Sequence, residues 1–572
     1  MAAVQGLVEA AREVGWRIDD PTRSFLRTLD AAMGERRGPA RVAVLASPDD
    51  DRLSRAISRA RPRARVTAVD AASDAADLHV VLVAGGRFDV VVDDTCRAWG
   101  RDVLFRRGFT HLRPHGTYLV RGVGADAPPG GRGEGVRAHV ARLAGLDGTL
   151  EPRGRVEQDE LALGRVIGDV LVEDDHLVVR LRGRVWAKVS EDEVDRLLTL
   201  RGGSAGRVVT RLPPVVFASR GTLRQSPFFR EGPPSRQEPF PTSYDVPAVS
   251  LREYHDVVCM RGQVALQGNV ILPDTYRKNQ KRRLRNRRIV DIGPRFGVPK
   301  GVRAEVTDVE GPLFYLDSEY RGHFGHAMTE QLSRLWAWQE AKAREPALRA
   351  LMLGTSWSPE LKGFERTLYA AAGVAPEDLV LADGPVRVER LLAATPMFSQ
   401  PFYVHPGLVA LWDRVGAALA QQAPERDYPA RFFCARRGAS RACRNAADVE
   451  ALFAGRGFEV VHPEDFSLPE QVRMFRRAEV VAGYAGSALF TICLAGSPKQ
   501  VVMVAPDSYI ARNEHLMASA LGHTLDVVWS ASEVRMPDDG FSARAFASGF
   551  TFDVHREGRY LADLLDSGAA VA

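Results

Sequence analysis

Short apolar runs that close on a polar or glycine-containing turn recur along this chain, with helical stretches between most of them. In the first half the runs are Val42-Ala43-Val44-Leu45, Arg65–Asp70, Phe88–Asp94 and Thr117–Val120, with a helix predicted over Arg101–Leu112. In the second half they are Pro312–Leu316, Leu348–Leu353, Arg431–Ala435, Gly457–Val461, Glu479–Ala482 and Gln500–Val504. Strands that alternate with helices predict α/β units built on parallel, doubly wound sheets. A chain of 572 residues holds three or four such units at about 150 residues each.

Composition divides the chain further. Residues 1–150 carry one or two amphipathic helices and the first strand–helix series. Residues 151–210 read as a small β-rich insert: Val170-Leu171-Val172, a Glu173-Asp174-Asp175 turn and Leu177–Leu181 form a hairpin. Ser190 and Glu193 there form a capping box that starts a helix. Residues 211–248 form a Pro-rich linker, with eight prolines between Pro213 and Pro247, and read as extended connector. From 249 to 572 the α/β pattern resumes.

The charge balance excludes less than it promises. There are 77 Lys+Arg against 72 Asp+Glu, for a net charge of +5, and seventy of the basic residues are arginine. Nucleic-acid binders are marked by a basic patch rather than by a total, so the arginine excess reads as compositional and no nucleic-acid partner is expected. One true charge block exists: eight of the twelve residues Arg277–Arg288 are basic. It is either a solvated amphipathic element or a surface for an anionic acceptor or membrane. It lacks the interleaved aromatics that single-strand binding wants.

Five scattered cysteines without a CxxC pair give neither a disulfide framework nor a zinc site. Glu9, Arg12 and Glu13 interrupt any signal-peptide core, and Val480–Gly496, the longest weakly polar run, is short of a usual membrane span and holds three glycines. The expected location is the cytoplasm, or the periphery of a membrane.

Chemistry concentrates at the ends of two strand runs. Arg436, Arg437 and Arg441 follow the run Arg431–Ala435, where open α/β sheets bind ligands and where guanidinium forks can grip a diphosphate. Gly483, Gly486 and Ser487 follow the run Glu479–Ala482 and precede an apolar helix, an arrangement that suits an anion. The bland alternatives are surface solvation and an ordinary turn. In the first unit, Asp49-Asp50-Asp51 suits either a divalent cation or a helix N-terminus.

Two family resemblances follow. Asp70, Phe88–Asp94 and Leu112–Val120 resemble the class I methyltransferase fold, which implies a Rossmann-like sheet. The loop after the first strand, Leu45–Asp51, lacks that family's glycines, which implies that S-adenosylmethionine binding has been lost. The C-terminal stretches Gly322–Trp338, Phe432–Asn445 and Gly457–Leu489 resemble glycosyltransferase family 61. That resemblance implies a GT-B pair of lobes and inverting transfer from a nucleotide-sugar, commonly a UDP-sugar, to a glycan or glycoconjugate acceptor in polysaccharide biosynthesis. It implies no required cofactor and no metal. The sequence departs from the family pattern at Ala485, where a His is usual, and at Ala446, where an acid is common.

The resemblance implies His326 and Glu330, four apart and hence on one helix face, as the base or base-orienting pair, with Arg334 one turn on and His323 as an alternative. It implies a donor site of Arg436, Arg437, Arg441, Gly483, Gly486 and Ser487 around the diphosphate, with Glu464 and Gln471 toward the nucleoside or sugar. The rival readings are a methyltransferase that uses the C-terminal part to bind its acceptor, and a non-catalytic scaffold in polymer assembly.

Overall fold

The computed structural model describes residues 2–34, 38–96, 100–125, 135–146, 151–152, 154–228, 240–279, 281, 283–538 and 540–568. They form a mixed α/β protein with several sheets in two compact units, one of Met1–Arg207 with Tyr254–Thr307, the other of Val208–Glu253 with Asp308–Ala572.

The first unit holds a six-stranded sheet in the order Arg65–Asp70, Arg41–Ala46, Phe88–Asp93, Leu112–Arg121, His176–Leu181, Ile167–Glu173. The first four strands are parallel and the last two antiparallel. Alternate residues of a strand share a face, so Val42, Val44, Val90 and Val92 pack together against Leu7, Phe25, Leu26 and Leu29 of the two N-terminal helices. The hairpin read as part of a separate insert instead extends this sheet. His176–Leu181 is buried along almost its whole length, and Ile167–Glu173 takes the exposed edge. The predicted capping box is present at Ser190 and Glu193.

The boundaries read at 249 and 150 also differ from the packing. The segment Tyr254–Thr307 belongs to the first unit, where Val270–Ile271 pairs in parallel and Phe296–Pro299 antiparallel with Trp186–Lys188. The basic block lies here. Arg283 grips both Asp159 oxygens, at 2.8 and 2.5 Å, and lies 3.6 Å from Asp291. Leu284 and Asn286 are buried, with Asn286 donating to Gly262 and Thr275 carbonyls. The block is thus a folded strap with alternate residues turned inward, and only Lys281, Arg285 and Arg287 of its described basic residues are exposed. Gln280 and Arg282 lie outside the described residues.

The second unit contains two larger strand groups besides two short antiparallel pairs. Val386–Ala394, Thr307–Tyr315, Arg349–Leu353 and Leu379–Ala382 are neighbours in that order. A six-stranded sheet, parallel throughout, runs Thr222–Gln225, Thr524–Ser530, Gln500–Pro506, Val480–Tyr484, Arg431–Cys434, Glu459–Val461. Its first strand comes from the segment read as linker. That segment also pairs Val215–Ala218 with Ser243–Val246, because Val215-Val216-Phe217 and Tyr244 supply apolar side chains between the prolines. Residues 229–239 of the linker lie outside the described residues. Among the described residues no helix is long and apolar enough to cross a membrane, and no three His, Cys, Asp or Glu side chains are grouped as metal ligands would be.

Candidate functional site

The helix that carries His326 and Glu330 starts at Phe324 and runs to Arg344, but its winding changes: α over Phe324–His326, π over Ala327–Gln331, 3₁₀ over Leu332–Ala337, then α again. π turns inside helices concentrate at functional sites. This one begins beside His326, whose Nδ1 lies 2.9 Å from Glu330 Oε1. Ser318 donates to the other Glu330 oxygen at 3.3 Å. Tyr320 stacks on the His326 ring at 4.6 Å, and His323 meets it edge-on at 5.0 Å. Nε2 of His326 has no hydrogen-bond partner among the described residues, and the side chain is one-fifth exposed (20%). A carboxylate on Nδ1 fixes the proton there and leaves Nε2 as the acceptor.

A buried ion pair holds the turn that leads into this helix. Arg321 and Glu365 are both fully buried, 3.3 Å apart. Arg321 also donates to the Leu353 carbonyl at 2.9 Å, and the Gly322 amide donates to Glu365 at 3.0 Å. Gly322 has φ +84°, a conformation glycine adopts at little cost. Arg334, one turn beyond Glu330, is buried and donates to the Ala394 carbonyl at 2.7 Å. That bond braces the helix against the strand Val386–Ala394.

The second half of the site comes from three adjacent strand ends, the place where open α/β sheets take ligands. After Arg431–Cys434 the loop carries the arginines. Arg436 donates to the Ala485 carbonyl at 2.6 Å and the Ser440 carbonyl at 3.1 Å. The Arg441 guanidinium lies over the rings of Tyr509 and Phe546, 5.2 Å from each, and its Nε is buried without a partner. Neither arginine pairs with an acid among the described residues. Burial and the neighbouring Arg441 charge lower the Arg436 pKa to about 10.

Gly486 lies between them. A Cβ on this residue, which has φ +132°, would sit 2.9 Å from Arg436 Nη2 and 3.0 Å from Arg441 Nη2. The missing side chain is therefore the space that both guanidinium groups border. Arg437 does not join them. It is exposed and ion-paired to Asp465, because it points to the opposite side of the loop from its neighbour.

Gly483 has a different reason for being glycine. A Cβ there would lie 2.7 Å from the Cys434 Cβ of the next strand, so its place in the turn is set by strand packing. Gly483→Ala should lower stability by about 1–3 kcal/mol, the usual cost of overpacking a core. A urea melt should report this loss, whereas ligand-induced stabilisation should persist.

Glu464, Gln471 and Ser487 line a cavity of about 610 Å³ with Phe324, Phe364, Thr367, Phe466 and Ala488. Gln471 donates to the carbonyls of Pro463 and Phe466, at 2.8 and 3.0 Å, which fixes the loop after Glu459–Val461. The two halves of the site meet here: a Cβ on Gly325 would touch Ser487 Cβ at 3.1 Å. The structure thus brings His326, Glu330, Arg436, Arg441, Gly486, Ser487, Glu464 and Gln471 into one region, and leaves Arg437 and Gly483 in supporting places.

Sequence reasoning missed five residues of this region: Tyr320, Arg321, Glu365, Tyr509 and Glu514. Only Glu514 had a readable signal, as the one acid of the helix Asn513–Leu521. No curated protein matches the chain. Residues 324–503, which hold both halves of the site, match the model of the family described as Glycosyltransferase 61, and the C-terminal resemblance read from the sequence stands on that match.

Proposed function

We propose that the protein is an inverting glycosyltransferase that moves a sugar from a nucleotide-sugar, a UDP-sugar foremost, to a glycan or glycoconjugate acceptor. The observation that carries this reading is the pair Arg436–Arg441. Two guanidinium groups without acidic partners converge on a space kept open by Gly486. Half-buried cations that form no ion pair favour binding of an anion, and paired forks suit a diphosphate.

The reaction then follows from the residues around that space. His326 Nε2 takes the proton of the acceptor hydroxyl as its oxygen attacks the anomeric carbon, while Glu330 holds the ring and stabilises the imidazolium that forms. The bond from the anomeric carbon to the diphosphate breaks on the opposite face, and Arg436 and Arg441 stabilise the charge that develops on the leaving group. The cavity floored by Glu464, Gln471 and Ser487, with Phe324, Phe364 and Phe466 on its walls, has room for a nucleoside. The parallel six-stranded sheet and the smaller strand group are in keeping with a GT-B arrangement, and the first sheet with a Rossmann-like scaffold.

The methyltransferase reading has no comparable observation behind it. At the ends of its sheet Asp93 is paired with buried Arg101 at 3.1 Å, and Asp94 with Arg121 at 2.7 Å. Arg121 in turn lies over the Trp16 ring at 4.4 Å. Two of the acids at that end of the sheet are thus ion-paired within the protein.

A thermal-shift screen with UDP, GDP, CMP and S-adenosylmethionine tests the assignment. UDP at about a hundredfold excess over its Kd should add about 2.7 kcal/mol. Stabilisation by S-adenosylmethionine alone would overturn the transferase reading, and silence toward all three nucleotides would leave the scaffold reading.

A further inference from the structure

Directly behind the Gly486 turn sits an acid that the proposed reaction does not use. Glu514 is fully buried in the first turn of Asn513–Leu521. Its Oε1 accepts the Gly486 amide at 2.8 Å, and Tyr509 OH lies 3.0 and 3.1 Å from its two oxygens. The Tyr509 ring supports the Arg441 guanidinium on its face. One carboxyl group therefore sets both the backbone of the turn and the platform under one of the two arginines.

We propose that Glu514 is the positioning residue of this turn, and that binding of a nucleoside diphosphate between Arg436 and Arg441 draws a proton onto its carboxylate. The inference rests on the donor site proposed above. Its physical basis is charge. The titratable and charged groups that face Glu514 are Tyr509, on the segment before its own helix, and Arg436 and Arg441, on the loop after Arg431–Cys434. The turn itself contributes only its amide, and the helix Ala543–Phe546 contributes the Phe546 ring that flanks Arg441.

In the free protein these two cations are counter-charges to this buried acid. A bound diphosphate recruits the same cations and adds negative charge on the far side of Gly486. Burial already raises the carboxyl pKa to about 7, and a like charge nearby raises it further. The sign is then fixed. The protonated form binds the diphosphate more tightly, so affinity falls as pH rises through the free-state value, and binding between about pH 7 and pH 8 takes up protons.

The test is calorimetric titration of the full chain with UDP in two buffers of different ionisation enthalpy, which counts the protons exchanged. Wild type should take up more protons than Glu514→Gln, whose amide oxygen still accepts both hydrogen bonds but cannot ionise. The affinity of the variant should lose the extra fall, of up to about tenfold, that wild type shows per pH unit above neutrality. UDP titrates too, but equally in both proteins, so the difference belongs to Glu514. Tyr509→Phe keeps the ring and the acid but removes a hydrogen bond that lowers the pKa, so its transition should move to higher pH.

Equal proton uptake in wild type and Glu514→Gln, with UDP bound by both, would overturn this inference and leave the donor site standing. Should Glu514→Gln fail to fold, a Tyr509→Phe transition that stays at the wild-type pH would overturn it in the same way. No binding of UDP by wild type would remove both. A merely structural glutamate would weaken binding equally at every pH.

Discussion

Replacement of Arg436 and Arg441 together by alanine is expected to lower donor turnover, read as kcat/KM for transfer or hydrolysis, by about 10³-fold or more. It should also abolish stabilisation by UDP. Each guanidinium borders the same space at Gly486, 2.9 and 3.0 Å from the position a Cβ would take, so their losses should not simply add. The fold should survive the change. Arg436 bonds only carbonyls and Arg441 rests on two rings, and the buried Glu514, which loses their charge, can take up a proton, the form that burial already favours. Arg437→Ala is the matched control. Its charge is matched by Asp465 at the exposed side of the loop, and its turnover should stay near wild type. A double variant that retains UDP stabilisation, or an Arg437→Ala enzyme as impaired as the double variant, would remove the diphosphate assignment.

The second large effect is on chemistry alone. His326→Ala should reduce kcat by about 10²–10⁴-fold, the range for loss of a general base, while the midpoint for UDP stabilisation stays unchanged. Glu330→Gln should fall between this variant and wild type. An amide can hold the ring by either its oxygen or its nitrogen, so it no longer fixes the proton on Nδ1, which now lies 2.9 Å from a carboxylate. His323→Ala separates the two histidines, since His323 meets the His326 ring edge-on. Full activity in His326→Ala with loss in His323→Ala would exchange their roles. Loss of UDP binding in His326→Ala would mean that the residue shapes the donor site instead.

Much of the strand grammar was legible because buried parallel strands read as continuous apolar runs. The runs at 42–45, 65–70, 88–94, 431–435 and 500–504 all coincide with observed strands. The His326–Glu330 contact was legible from spacing, since residues four apart share a helix face, and the change to π winding beside it left the pair together. What could not be read was pairing across long separations. Nothing local says that Thr222–Gln225, amid prolines, will find a sheet, or that Tyr254–Thr307 packs with the N-terminal strands.

The site shows the same limit. Three arginines within six residues look equivalent in sequence, yet the loop sends Arg436 and Arg441 to Gly486 and Arg437 to Asp465. Two glycines three apart look alike as well, although Gly486 leaves open space and Gly483 lets two strands approach. The basic block misled for a related reason. A run of like charges suggests a surface, but Asp159, 124 residues before Arg283, comes to meet it, together with Asp291 just beyond the block.

The edge strand Thr222–Gln225 carries a consequence for how the chain is made. Its partner is Thr524–Ser530, and Arg224 meets Asp526 at a separation of 302 residues. At about 5–20 residues per second of synthesis, the earlier strand waits for roughly 15–60 seconds before its neighbour leaves the ribosome. During that interval its row of amides and carbonyls has no sheet to join, and the growing parallel sheet keeps an open border of the kind that recruits other chains. The prolines that flank it, Pro213, Pro214 and Pro227, cannot donate to a ladder. They shorten the stretch able to pair with a foreign strand, and so act as guards of a nascent chain as much as features of the finished one.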